Sequence, residues 1–160
     1  MIAELGNELK KIIEELTASD ILPVYTEEED EATERAPKVF HGFLAPEDAE
    51  TLIPAICIRT ILSKNSLEER RLLTKITIAI FNKDSMEGYE ILYSMLEKIM
   101  NHIIEKGIIG EKFEVLPEAE WLISEEQPYP YWIGEIKFSI LMAKKYRTDL
   151  MDWLDGEEEK

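Results

Sequence analysis

The residues with chemical potential are few and widely spaced. His41 and His102 are the only histidines, and Cys57 is the only cysteine. His102 falls near the end of a helical pattern, with Lys98 one turn before it and Glu105 and Lys106 one turn after. One carboxylate flanked by two ammonium groups makes a poor metal site and a weak acid–base pair, so an exposed histidine is expected there. Cys57 lies in the apolar run Ile56-Cys57-Ile58, where a thiol acts as a small buried hydrophobe. A single cysteine excludes an intrachain disulfide framework and a CxxC metal knuckle. Asp149, Asp152 and Asp155 recur every three residues, but a hard cation needs convergent oxygens and a turn glycine at fixed loop positions. There is no GxSxG elbow, glycine-rich phosphate loop or dinucleotide fingerprint, and the seven glycines are scattered. The sequence therefore predicts no catalytic residue, no metal site and no cofactor. The chain is expected not to be an enzyme.

The least generic stretch runs from Glu125 through Gln127-Pro128-Tyr129-Pro130-Tyr131-Trp132 to Ile136. Pro128 and Pro130 fix φ, remove two backbone donors and push the residues before them away from the helical region. Gln127 to Pro130 should be a stiff extended segment feeding a strand that starts at Trp132. Tyr129, Tyr131 and Trp132 then either plug the end of a core or face a partner, since Tyr and Trp are favoured at interfaces. Glu68-Glu69-Arg70-Arg71 reads as local pairing at a hairpin tip, or as a charged patch for a subunit or partner. Arg70, Arg71, Tyr129, Tyr131 and Trp132 are the candidate contact residues.

The elements that must position these residues follow from periodicity. Ile2, Leu5, Leu9, Ile12, Ile13 and Leu16 fall at helical spacing, predicting a helix over about 2–16. Ile21 to Tyr25 reads as a short edge strand containing Pro23. The acidic run Glu27 to Glu31 follows, and 26–54 holds no assignable element, which points to a mobile acidic loop that orders on assembly. Ala55 to Leu62 and Leu72 to Phe81 alternate as strands, joined by the polar link Ser63 to Arg71 in a long hairpin whose tip extends past the sheet. Tyr89, Leu92, Tyr93, Leu96, Ile99, Met100, Ile103 and Ile104 repeat at three and four. They predict a long helix over about 86–105, capped by Asp84 or Ser85 and stopped by Gly107. Ile108-Ile109-Gly110 reads as a turn, and Phe113 to Leu116 as a strand that Pro117 interrupts and Trp121 to Ile123 resumes. Trp132 to Met142 alternates as the last strand. Leu150, Met151, Trp153 and Leu154 suggest a short C-terminal helix before an acidic tail at 155–160.

The implied fold is α+β: a mainly antiparallel four-stranded sheet of two hairpins covered by a long helix, plus an N-terminal and a short C-terminal helix. A chain of 160 residues, 45% hydrophobic and 32% charged, suits a single globular domain. With 18 basic against 34 acidic residues the net charge is −16, which opposes direct nucleic-acid recognition through phosphate contacts. Met1 to Leu16 mixes Glu and Lys with apolar residues, and no apolar run approaches the ~20 residues of a membrane helix. A cytoplasmic location without membrane contact is expected.

Beside this reading stands a likeness. Ile108-Ile109-Gly110, Phe113-Glu114-Val115, Trp121 and above all Glu125-Glu126-Gln127-Pro128-Tyr129-Pro130-Tyr131-Trp132-Ile133-Gly134 resemble tail proteins of phages and prophages. Ile53 to Arg59, the Ile76 to Phe81 strand and the helix from Tyr89 look like the same group. The likeness covers roughly 53–142, and its specific part is the Gln-Pro-Tyr-Pro-Tyr-Trp run. It implies a tail terminator or tail-completion (minor tail) protein, a structural and non-enzymatic role. Such proteins form a ring, often of six copies, at the head-proximal end of the tail tube, with the tube protein and the head connector as partners. The chain would then assemble in the cytoplasm and end in the virion. A negatively charged lumen would let DNA pass without sticking. Another head–tail adaptor or tail-assembly protein, or a stand-alone bacterial α+β binding module, are the alternatives.

Overall fold

The computed structural model describes residues 2–26, 33–43 and 49–143. In chain order these form α1 (Ile2–Thr17), β1 (Leu22–Pro23), β2 (Glu34–Arg35), β3 (Lys38–His41) and α2 (Ala49–Leu52). Then come β4 (Ala55–Asn65), β5 (Glu69–Phe81), α3 (Ser85–Lys106), β6 (Ile108–Ile109), β7 (Phe113–Ile123) and β8 (Tyr131–Ala143). None of the described helices is long and apolar enough to cross a membrane.

The class is α+β, but the sheet is not the expected four-stranded antiparallel one. It has six strands in the order β3-β4-β5-β8-β7-β6, and β1 pairs with β2 in a separate two-stranded sheet. The sheet is mixed because β3 runs parallel to β4, from Lys38↔Ala55 to His41↔Ile58. The other neighbours are antiparallel. The four expected strands are its long central members, β4, β5, β8 and β7. What escaped prediction is β3, buried within the presumed loop, and β6, where a turn was expected. Four residues give too short an alternation to read as a strand, and a parallel partner reached by a crossover leaves no local hairpin signal.

Alternation decides which face is covered. Ile56, Ile58, Ile76, Ile78, Ile80, Ile136, Phe138 and Ile140 are fully or almost fully buried and share one cluster. Both main helices close this face. From α1 come Leu5, Leu9 and Ile13, and from α3 Leu92, Leu96, Ile99 and Ile103, all in the same cluster. The N-terminal helix thus packs on its own sheet, against β3, β4 and β6. Gly134 on β8 leaves the space that Leu96 fills, since a Cβ there would lie 2.7 Å from Leu96 Cδ1.

The ends of α3 are set by its cap residues. Asp84 Oδ1 accepts the Met86 and Glu87 N–H groups at 3.0 and 3.1 Å, an N-cap of the expected kind. At the other end Gly107 takes φ +67 and donates its N–H to the Ile103 carbonyl.

Two further expectations need correction. The polar link shrinks to the turn Ser66–Glu68, because β4 continues to Asn65 and β5 begins at Glu69. Its tip does not outrun the sheet, since β8 accompanies β5 up to Glu69↔Ala143. The interruption expected at Pro117 is a register shift between Val115 and Ala119 within the continuous strand Phe113–Ile123, where Pro117 cannot join the ladder. The predicted C-terminal helix, acidic tail and Asp149, Asp152 and Asp155 lie outside the described residues, as do Glu27 to Glu31.

Candidate interaction surfaces

At the aromatic corner, chain geometry and side chains lock together. The predicted extended segment is instead a tight turn: Tyr129 N–H donates to Gln127 O and Tyr131 N–H to Pro128 O, both at 2.9 Å. Gln127 straddles the turn, its Nε2 donating to Ser124 O at 2.7 Å while its Oε1 accepts the Ile133 N–H at 2.7 Å. Prolines restrict φ without dictating ψ, so two of them closely spaced can build a bend as well as an extension.

The corner then ties to the junction between β5 and α3. Trp132 Nε1 donates to Asn82 O at 3.0 Å and Tyr129 Oη to Lys83 O at 2.8 Å, while Asn82 N–H donates to Pro130 O at 2.9 Å. The Tyr129 and Trp132 rings meet edge to face with their centroids 6.3 Å apart, within the roughly 4.5–7 Å range of such pairs. Tyr131 points to the other face of the sheet, where it packs on a small cluster of Ile53, Ala79 and Phe81. Phe81 in turn meets Tyr25 edge-on at 5.7 Å. Trp132 and Tyr131 are therefore partly buried braces, whereas Tyr129 is 59% exposed and presents its ring to solvent.

Arg70 and Arg71 lie at the opposite end of the same strand. Arg70 pairs with Met142 in register while Phe81 pairs with Tyr131, so the sheet keeps the two candidate groups apart. Arg70 Nε donates to Ser63 Oγ at 2.8 Å across the hairpin, and Arg71 makes an exposed 3.8 Å ion pair with Glu69. Both bonds are local, and surface pairs of this kind contribute little to stability.

The second sheet face is mostly uncovered by described elements. Near Phe81 it is closed by the small aromatic cluster, and Arg35 helps fasten that end. The Arg35 guanidinium donates to Ala36 O, Pro54 O and Leu52 O at 3.1, 3.0 and 2.7 Å, and burial lowers its pKa from the ordinary arginine value. Further along, Lys75–Glu135 at 3.4 Å and Lys137–Glu120 at 3.9 Å form a charged lattice. Beside it is an open groove of about 580 Å³ lined by Leu73, Glu118, Ala119, Glu120, Lys137 and Ser139. A second groove, about 520 Å³, separates the end of α1 from α3, with Ile21, Ile91 and Met95 below Asp20, Glu90 and Lys98. Both are shallow and contain no paired nucleophile and base.

The remaining chemical candidates are placed simply. Cys57 is 4% exposed on β4. His41 belongs to β3, its imidazole lying against Gly6 of α1 so closely that a Cβ there would sit 2.4 Å from Cε1. His102 is half-buried on α3. Among the described residues no three His, Cys, Asp or Glu side chains converge as metal ligands would. What sequence reasoning missed is the uneven finish of the sheet's two edges. The short partners β3 and β6, themselves invisible in the pattern, leave part of each edge strand without a partner strand among the described residues.

No protein-family profile matches the chain, and no curated protein matches it.

Proposed function

We propose that this chain is a structural subunit of a phage or prophage tail, a tail terminator that rings the head-proximal end of the tube and joins it to the head connector. It acts by surface contact rather than by catalysis. The observation that carries the reading is the one-sided sheet. Two helices fill one face, while the other keeps half-exposed side chains along β5, β8 and β7 and ends in exposed Ile133 and Leu122. Such a half-covered layer suits a subunit that is completed by neighbours. The likeness of the Gln127 to Trp132 corner to tail proteins supplies the particular assembly. That corner serves the subunit's own fold, with Tyr129 left available for contact.

Tube growth tests the proposal. Tube protein polymerised with increasing amounts of this chain should give shorter, length-limited tubes, each capped at one end by a ring in electron micrographs. Unrestrained growth at saturating chain would sink termination. A chain that binds the head connector yet leaves tube length unchanged would be a head–tail adaptor instead.

A further inference from the structure

The open face of the sheet changes character along its length. Near the end where β8 stops, Leu141 lies beside Arg71, and Leu62, Leu73 and Ser139 form the next row. Arg59, Lys75 and Lys137 form the row beyond. Leu62 is exposed, Leu73 and Leu141 are half-buried, and the groove of about 580 Å³ lies between these two rows. On β4, β5 and β8 this face carries five bases, Arg59, Lys64, Arg71, Lys75 and Lys137, against the two acids Glu69 and Glu135. In a chain of 18 basic and 34 acidic residues that is a local reversal of sign. Arg71, Lys75 and Lys137 have one carboxylate neighbour each, Glu69, Glu135 and Glu120. Arg59 donates to Thr77 Oγ1 and lies under Phe43, and neither it nor Lys64 meets a carboxylate among the described residues.

We propose that the chain's own C-terminal segment, residues 144–160, folds back over this face and covers it in the free subunit. Position is the first argument. Strand β8 is central, flanked by β5 up to Glu69↔Ala143 and by β7 up to Phe113↔Met142, so the segment that follows has no free edge beside it. The helical face at that end is already filled by Leu72, Phe113, Ile140 and Met142, whereas the open face has room. Composition is the second. Beyond Thr148 the segment has Leu150, Met151, Trp153 and Leu154, whose burial is favourable, and six acids against one base. Order is the third. Moving away from Ala143, the face offers Leu141, Leu73 and Leu62 before its Arg59–Lys75–Lys137 row, and the segment offers its apolar residues before Glu157 to Glu159. Lys137 lies six residues back along β8, about 20 Å at the strand rise, which the fourteen residues from Ala143 to Glu157 can span easily. The acidic run Glu27 to Glu31 shares the sign but has no apolar residue. Its loop is also pinned at the far end of the sheet, by the Tyr25–Phe81 contact and the Val24 N–H bond to Thr33 O. A second copy would have to be recruited from solution, whereas a short tether holds the segment at an effective concentration on the order of millimolar. A neighbour that completes this face on assembly must then displace the segment, which makes it a guard against premature association. That consequence rests on the reading above; the docking itself does not.

Paramagnetic relaxation tests the docking in the full chain, with a nitroxide attached to Gly156→Cys and amide signals read by NMR. Cys57 is 4% exposed and is kept; the same treatment of the chain without Gly156→Cys supplies the baseline. Amides around Arg59, Lys75 and Lys137 should broaden, and those on the outer side of α3 should not. Leu150→Ala with Leu154→Ala should abolish the broadening, as should Glu157→Lys, Glu158→Lys and Glu159→Lys together, since neither set alters a described residue. Broadening spread evenly over the molecule, confined to α1 and α3, or unchanged in both variants would overturn the contact. Mixing labelled chain with unlabelled, isotope-enriched chain separates the occupants. Open-face broadening as strong in that mixture as within one chain would assign the face to a second copy and overturn the proposal. For the guard, Leu150→Ala with Leu154→Ala should limit tube length at a concentration about tenfold lower than the wild type, as expected if one subunit in ten is uncovered at equilibrium. An unchanged concentration would reject the guard. Failure of the tail-terminator reading is separable. Docking on the open face while tubes grow unchecked rejects termination alone, and tubes that stop although the segment never docks reject this contact alone.

Discussion

Gly88 offers a substitution whose sign depends on one partner. It sits in the first turns of α3, and a Cβ built on it would lie 2.5, 2.7 and 2.9 Å from Trp132 Nε1, Cδ1 and Cε2. The ring cannot step aside cheaply, because it is rigid and its N–H is bonded to Asn82 O. In Gly88→Ala, forcing a methyl into a filled space costs about 1–3 kcal/mol. Moving the ring also loses a hydrogen bond worth about 1 kcal/mol. Against this, alanine in a helix gains up to about 1 kcal/mol over glycine. The last two nearly cancel, leaving a net loss of about 1–3 kcal/mol from the clash. For a chain of this size that lowers Tm by about 2–4 °C per kcal/mol. Without the ring the clash disappears and only the helix preference remains. In a Trp132→Ala background, Gly88→Ala should therefore stabilise by up to about 1 kcal/mol. Urea unfolding of the four proteins, followed by circular dichroism, measures the cycle. The expected coupling is about 2 kcal/mol or more. A Gly88→Ala effect of the same sign and size in both backgrounds would refute the steric account.

Three other perturbations probe the scaffold. Leu96→Ala or Ile99→Ala removes a fully buried side chain between α3 and the sheet and should cost about 2–5 kcal/mol in denaturant unfolding. Asp84→Ala removes both acceptor contacts at the start of α3 and should cost about 1 kcal/mol, with Asp84→Asn or Asp84→Ser retaining most of the stability. Arg35→Met leaves three carbonyls without their donor and should cost about 1–3 kcal/mol. Its signature is faster amide exchange around Leu52 to Ala55, with α3 unchanged.

The parts of the fold legible in the sequence are those whose signals are local. Helix α3 is visible because its stripe runs for six turns between an Asp and a Gly with defined capping chemistry. Strands β4, β5 and β8 are visible because isoleucines alternate with polar residues over long stretches. Nothing local reveals that β5 and β8 are neighbours in the middle of the sheet, or that Lys38 to His41 lies parallel to Ala55 to Ile58. Those facts depend on which isoleucine rows meet in three dimensions. The candidate contacts divide the same way. Two prolines among aromatics announce a braced corner, yet whether it bends or extends is settled by Gln127, whose side chain binds backbone on both sides of the turn. Arg70 and Arg71 stand out as charge, and the structure gives them local partners, Ser63 across the hairpin and Glu69 beside the turn.

The central place of β8 also governs the order in which the molecule can form. The β4–β5 hairpin closes over a short turn and can assemble early, and α3 can nucleate on its own cap. The β5–β8 ladder, from Phe81↔Tyr131 to Glu69↔Ala143, joins partners separated by all of α3, β6 and β7. Contacts of such long range slow folding because a large loop must close before they contribute. During synthesis, β5 would emerge with one flank exposed and wait for α3, β6 and β7 to be made before its second neighbour arrived. Until then Ile76, Ile78 and Ile80 lack their β8 neighbours, and a half-paired apolar strand in that state is prone to aggregate. Slow translation or a bound chaperone over this interval should raise the yield of folded protein more than the same help given after β8 has emerged.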